Sequence, residues 1–179
     1  MVISFREFDV HGWIARLLGA TSEADAHFEE MVNNPVVEFH SGSVSRGADV
    51  CVRLCLESIA AGVGSVDGIG ACLDMVVAIL YGEVSAECIE QGETDLIERC
   101  AGIVAEFSPV LIDLLACDDE YVVFGALELL WIVDPDKQNV VLLTRALDAG
   151  SLASRSPAIH RNLDLLVKEI LSWTESPAI

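Results

Sequence analysis

Carboxylates are the side chains of this chain whose number and spacing could do chemistry. Glu83, Glu87 and Glu90 recur at intervals of four and three residues, which would place them on one face of a short helix. Glu93 and Asp95 extend this acidic cluster. Like charges at helical spacing destabilise a helix by about 0.2–0.5 kcal/mol per pair. The cluster therefore suggests a use beyond folding, with a solubilising face as the simpler alternative.

A second acidic cluster, Asp118, Asp119 and Glu120, stands before the most apolar stretch of the chain. Adjacent carboxylates can act as general acid and base if a pocket shifts their pKa values. Carboxylates at the start of a helix also stabilise its dipole, which is the simpler explanation for these three residues. We expect the eight acidic residues of the two clusters to form a partner-binding surface.

The other reactive side chains indicate no catalytic centre. The histidines form no zinc-protease motif, and the chain has no serine nucleophile elbow and no phosphate-binding loop. Two carboxylate–histidine pairs, Glu7 with His11 and Asp25 with His27, are interpreted as ordinary solvated side chains. We therefore expect a protein that is not an enzyme and that holds neither a metal nor a cofactor.

The charge balance is strongly acidic. Twenty-nine Asp and Glu against ten Lys and Arg give a net charge of −19 and a pI near 4.2. Between Leu54 and Asp136 there are seventeen acids and one base, Arg99, which is a net of −16. Nucleic acids and anionic membrane surfaces are poor partners for such a chain, because phosphate contacts require clustered Lys and Arg. A basic protein surface is the favoured partner.

Mean hydropathy is positive, at +0.48, yet no stretch is predicted to span a membrane. Ser58–Val66 and Met75–Gly82 are among the longest uncharged runs, and both are far shorter than the ~18–20 residues of a span. Arg6, Glu7 and Asp9 interrupt the segment that a signal peptide would keep apolar. We therefore expect a cytoplasmic protein.

The six cysteines lie mostly among apolar residues at helical spacing. They form no CxxC pair, and no cluster of Cys and His has the spacing of a zinc site. We expect reduced, buried thiols, with disulfides or a metal site as the alternative. The cysteines are Cys51, Cys55, Cys72, Cys88, Cys100 and Cys117.

Apolar residues recur at helical intervals along the chain, which predicts an all-α fold. Tyr121–Val133 carries a single charge, Glu128, so we expect it to be the most buried helix. The segment Val36–Gly47 is predicted as a loop, with a short extended conformation of Val36–Phe39 as an alternative. No paired strands are expected. The ten predicted helices cover approximately residues 11–20, 22–33, 45–61, 66–81, 83–91, 94–107, 108–116, 121–133, 134–149 and 156–173.

An internal repeat is faintly visible at a shift of 71 residues. The segment DVCVRLCLESIAAG from Asp49 aligns with EYVVFGALELLWIV from Glu120. Two units of ~35 residues would span this shift, within the range of helical repeats.

The stretch 118–149 resembles a HEAT or armadillo repeat. It has an acidic turn, a Val-rich first helix, and Asp134-Pro135 before a second helix, although the basic residue usual in that pattern is replaced by Val123 and Phe124. The resemblance implies a right-handed helical stack that binds proteins. We accordingly expect one domain over 1–179, an antiparallel α-solenoid of about ten helices. Its parts are N-terminal helices and a loop (1–44), repeat-like pairs (45–149) and a capping helix (150–179).

In composition and build the chain is also similar to the immunity proteins of bacterial toxin systems, which mask a toxin domain that is often a basic nuclease. This similarity implies a cognate toxin domain as the basic partner, held by the acidic clusters and by any exposed member of Tyr81, Tyr121 and Phe107. One alternative is a general helical-repeat scaffold or adaptor. Another is an enzyme with an unrecognised helical active site, which a deep pocket with shifted pKa values would favour.

Overall fold

The structure, a computed structural model, describes residues 9–31, 34–38, 41–134 and 168 of the chain. The prediction of a helix-rich fold is confirmed for these residues. Apart from Asp134 and Lys168, the helices predicted over 134–149 and 156–173 fall outside them. The elements are α1 (Val10–Leu18), α2 (Glu23–Met31), β1 (Val37–Glu38), β2 (Ser43–Val44), α3 (Ala48–Ala60), α4 (Val66–Tyr81), β3 (Glu83–Val84), α5 (Ala86–Glu90), α6 (Leu96–Glu106), α7 (Ser108–Leu114) and α8 (Glu120–Val133).

A small three-stranded sheet shows that the expectation of no paired strands is wrong. β1 and β2 pair antiparallel, and β3 lies parallel to β2, with Ser43 opposite Glu83. Gly42, with a φ of 67°, provides the left-handed conformation in the turn between β1 and β2. Each strand has two residues, which is too short for an alternating pattern to be visible in the sequence. The described residues therefore form a helical fold with a sheet, not a purely helical solenoid.

The helix predicted over 83–91 begins too early. Gly82 is extended, with φ −76° and ψ 174°, and turns the chain out of α4 toward β2. The approach is close, because a Cβ on Gly82 would lie 2.5 Å from Cγ2 of Val44. Ser85 then caps α5. Glu83 consequently lies in β3 and not on the face of α5, so the predicted row of three glutamates on one helix is wrong.

Helix α4 lies at the centre of the packing. A Cβ on Gly68 would lie 2.4 Å from the carbonyl oxygen of Leu18 at the end of α1, and one on Gly125 of α8 would lie 2.6 Å from Cβ of Leu73. Glycine at these two positions lets α1 and α8 approach α4 with almost no space between them. α4 buries nine residues and α8 seven, so the expectation that α8 is the most buried helix is not met.

Helices α4 and α8 run in the same direction. Tyr121, in the first turn of α8, lies beside Gly70 near the start of α4. Glu128, two turns further along α8, accepts a hydrogen bond from the hydroxyl group of Tyr81 at the end of α4. The start of α8 therefore lies near the start of α4.

The internal repeat coincides with equivalent burial in α3 and α8. At the shift of 71 residues, five positions that are buried in α3 fall on positions that are buried in α8. The two helices thus present the same face to the core, in agreement with the alignment. The pairs are Cys51 with Val122, Val52 with Val123, Cys55 with Ala126, Leu56 with Leu127, and Ile59 with Leu130.

All six cysteines are free thiols, as predicted, and all except the half-buried Cys117 are buried. The sulfur atoms of Cys55 and Cys72 are 3.5 Å apart, which is hydrogen-bond contact and much longer than the ~2.05 Å of a disulfide. Burial raises the pKa of Cys100 to about 12. The Cys100 thiol therefore stays protonated at neutral pH, and the buried cysteines pack as small apolar side chains.

We expect Gly125→Ala to destabilise the protein by about 1–3 kcal/mol, because the added methyl group overpacks the α4–α8 contact. The matched control is Gly102→Ala in α6, where a Cβ meets nothing within 4 Å. Alanine favours a helix over glycine by up to about 1 kcal/mol, so the control should stabilise. Urea unfolding measures both, and a Gly125→Ala variant as stable as the parent would contradict the close contact.

Thiol titration tests the state of the cysteines. In denaturant without reductant, a chromogenic disulfide reagent should detect six thiols, whereas the five buried thiols of the native protein should react slowly because the fold covers them. A count of four or fewer in the unfolded chain would establish a disulfide.

Candidate functional site

The structure does not bring the two predicted acidic clusters together. Glu83, Glu87 and Glu90 follow the C-terminal end of α4, whereas Asp118–Glu120 precede α8, which begins beside the N-terminal turns of α4. With 16 residues, α4 is about 24 Å long. The clusters are therefore separate features at the two ends of this helix.

Part of the first cluster is neutralised by arginines. Glu93 forms ion pairs with Arg46 at 2.9 Å and with Arg99 at 3.2 Å. Arg99 also contacts Asp95, and it reaches Asp49 of α3 at 3.3 Å. Glu93 and Asp95 are thus held in structural contacts between elements that are distant in the sequence. The carboxylates of the cluster that stay exposed outside these ion pairs are Glu83, Glu87 and Glu90.

The second cluster begins α8. The carboxylate of Asp119 accepts hydrogen bonds from the backbone N–H groups of Tyr121 at 3.0 Å and Val122 at 3.2 Å, which makes it the N-cap. Asp118 is exposed, and Glu120 is half-buried in the first turn. The simpler role, carboxylates at a helix start, is confirmed for Asp119.

Next to this cap, an acidic cavity of about 110 Å³ opens between α2, α4 and the start of α8. Helix α2 is fixed there by Trp13, whose indole N–H donates to the carbonyl oxygen of Glu29 at 3.0 Å. Glu23, His27 and Glu30 recur at intervals of four and three residues and so share the face of α2 that lines the cavity. The rest of the lining is Ala26, Val66, Asp67, Gly70, Ala71, Asp74, Asp119 and Tyr121.

Glu30 is the buried charge of the cavity, with 8% of its surface exposed. No described residue gives its carboxylate a hydrogen bond or an ion pair. Burial and, to a lesser extent, the charge of Asp74 raise the pKa of Glu30 to about 7. Near neutral pH the Glu30 side chain therefore exchanges between its charged and neutral forms.

Two more carboxylates continue from Glu30 along the surface between α4 and α8. Partial loss of hydration and the charge of Glu128 raise the pKa of Asp74 to about 6. The side chain of Asp74 is nevertheless exposed, so water screens part of this pKa shift. Exposed tyrosines stand at the two ends, Tyr121 beside the cavity and Tyr81 against Glu128. We call this row the acidic stripe: Tyr121, Glu30, Asp74, Glu128 and Tyr81.

The chemistry open to the cavity and stripe follows from these charges. Neighbouring carboxylates repel one another, and a cation between them would relieve that repulsion. Within the described residues no group of three or more His, Cys, Asp or Glu is arranged to hold a metal ion. A carboxyl with a near-neutral pKa can also transfer a proton. The site can therefore bind an organic cation or exchange a proton.

Sequence reasoning selected Asp119 of the cavity but missed Glu30 and Asp74. Asp74 had a visible signal, because it is the only charge between Gly68 and Gly82, just as Glu128 is the only charge between Tyr121 and Val133. An isolated charge in an apolar helix must either reach solvent or be compensated. Glu30 had no such signal, since α2 is acidic throughout.

No family model matches the chain, and neither the curated proteins nor the solved structures gave a match. Among the helices that the structure describes, none is long and apolar enough to cross a membrane. Function is therefore inferred from the side chains of the cavity and the stripe.

Replacing Glu30 tests its buried charge. A carboxyl whose pKa rises from 4.5 in the unfolded chain to about 7 in the folded protein favours folding below pH 4.5 and loses that advantage as pH rises through 7. The full difference is about 3 kcal/mol. Glu30→Gln, which cannot ionise, should be more stable than the parent by about 1–3 kcal/mol at pH 8 and equal to it at pH 4.5.

Urea unfolding at the two pH values measures this effect. The control is Glu23→Gln, on the same face of α2 but exposed, which should change stability little at either pH. A Glu30→Gln variant less stable than the parent at pH 8 would show that the carboxylate has a stabilising partner.

Proposed function

We propose that this protein is a non-catalytic module that binds and neutralises a basic protein, with the acidic stripe at the centre of the interface. The observation that carries the proposal is Glu30, a buried carboxylate whose negative charge no described residue compensates. Uncompensated charge in a small cavity costs stability, and a basic partner would offset that cost.

The distribution of charge and aromatic residues supports this role. A net of −16 between Leu54 and Asp136 would accelerate encounter with a basic surface. Tyr121 and Tyr81, 53% and 59% exposed, stand beside the carboxylates as candidate anchors. Tyrosine is enriched among the few residues that supply most of the binding energy of protein interfaces.

We infer that the partner is a toxin domain and that this protein acts as its immunity protein in the cytoplasm. Support comes from the small size, the strong acidity and the helix-rich build. Free thiols agree with a reducing compartment. The equivalent burial of α3 and α8 supports a HEAT-like relationship between the two helices.

A general scaffold is a second candidate, favoured by a groove of about 460 Å³ between α3 and α6. Val50, Leu54 and Ile103 give the groove an apolar floor. Ion pairs of Arg53 with Glu106 at 3.1 Å and of Arg99 with Asp49 at 3.3 Å cross it, so most of its charges are already matched. A peptide held there would gain mainly from apolar contact.

An enzyme is a third candidate, since Glu30 and Asp74, with pKa values of about 7 and 6, could act as a general acid–base pair. The size of the cavity argues against this function. Its volume of about 110 Å³ is well below the ~300–1,000 Å³ of typical small-molecule sites. A side chain fits such a space better than a whole substrate.

The proposal predicts a stoichiometric complex with a basic protein that co-purifies from the source cells. Association with that protein should slow at least tenfold between 0.1 and 1 M salt, because the Debye length falls from ~10 to ~3 Å. The dissociation rate of the complex should change less with salt. The double variant Asp74→Asn with Glu128→Gln removes two charges of the stripe. It should slow association even at constant salt.

The matched control removes two exposed charges of α5, by Glu87→Gln with Glu90→Gln. Stopped-flow mixing measures all the rates. Equal effects of the two double variants, or a rate that ignores salt, would leave the acids with a solubilising role only.

A further inference from the structure

We propose that the cavity between α2, α4 and α8 receives one cationic side chain of the partner, an arginine or a lysine, between Glu30 and Asp74. This inference rests on the proposed function and adds the ligand of its central site. The cavity is open to solvent, and Glu30, more than nine-tenths buried and without a partner among the described residues, lines it.

The lining of the cavity matches the two halves of a long basic side chain. Ala26, Val66 and Ala71 provide apolar surface, and the carboxylates of Glu30 and Asp74 provide negative charge. Arginine and lysine combine an apolar stem with a charged head in the same way. A bare inorganic cation would leave the apolar half of the lining unused.

The volume of the cavity agrees with this ligand. About 110 Å³ is several times the ~30 Å³ that one water molecule occupies in the liquid. A guanidinium or ammonium head with its adjoining methylene groups has this scale. The planar guanidinium can also donate to two carboxylates at once, which makes arginine the better match.

Every packed element contributes ionisable groups to this environment. Helix α2 presents Glu23 and His27 beside Glu30, and α4 presents Asp67 and Asp74. The start of α8 adds Asp119 and Tyr121, and Glu128 acts through its charge on Asp74. His27 is exposed.

A cation held against Glu30 would favour its charged form, so binding should release a proton. With a pKa of about 7 in the free protein, the charged fraction of Glu30 rises about tenfold between pH 6 and pH 8. Affinity for the cation should rise by about the same factor.

The test follows the carboxyl carbons of Glu30 and Asp74 by NMR through a pH titration of the full chain. The probe is N-acetyl-arginine amide at about 0.1 M, a concentration suited to weak contact of a single side chain. N-acetyl-citrulline amide, its neutral isostere, is the control at matched ionic strength. N-acetyl-lysine amide distinguishes an ammonium from a guanidinium.

We expect the arginine probe to lower the pKa of Glu30 by half a unit or more and the citrulline probe to leave it unchanged. Glu30→Gln should abolish the response at Asp74, whereas Glu87→Gln on α5 should retain it. The inference is overturned if neither cationic probe moves the two carboxyls, or if citrulline moves them equally.

The outcome separates this inference from the proposed function. If the protein binds a basic partner with salt-dependent association but Glu30→Gln leaves the affinity at pH 8 unchanged, the cavity is not the ligand site and the proposed function stands. If the probes titrate Glu30 as expected but no basic protein binds, the cavity stands as a cation site and the proposed function fails.

Discussion

The close packing of α4 against its neighbours is the constraint on which the rest of the structure depends. Gly68 and Gly125 remove the side chains that would hold α1 and α8 away from α4. Because α8 then runs parallel to α4, its cap at Asp119 comes to the end of α4 where α2 also packs. The acidic cavity is the space left where these three helices meet. Its position thus depends on Gly125, which sets the approach of α8 to α4 and carries no chemistry itself.

Two groups of carboxylates experience opposite environments in this fold. Around Arg99, three acids contact one guanidinium, so their charges help to join α3 to the segment before α6. Around Glu30, no described residue forms an ion pair with the carboxylate, and the buried charge opposes folding near neutral pH. Arginine beside Glu30 would remove this cost, yet none of the described residues supplies it. A binding protein can retain such a destabilising group when a partner provides the missing charge.

Local features of the fold were predictable from the sequence, and contacts between distant segments were not. The span of α4, the cap at Asp119 and the buried thiols follow from periodicity and residue type, which act within a few residues. The strand at Glu83 depends on β2, some forty residues earlier, and the sequence contains no local sign of that pairing. Glu30 and Asp74 meet only because α2 packs on α4, so the cavity needed the tertiary structure to be recognised.

The acids at the two ends of α4 have different roles because they lie at different distances from the cavity. The stripe extends from the level of Gly70 to Tyr81, which is about 16 Å of helix. A stable interface buries about 800 Å² on each partner, so the stripe can form its centre and not its whole area. The exposed acids follow Tyr81 at the end of α4, and about 10 Å of helix separates Tyr81 from Asp74 of the cavity, which exceeds the ~8 Å Debye length at physiological salt. They can add to the field that steers a basic partner, whereas contact with a bound cation is open only to the carboxylates of the cavity.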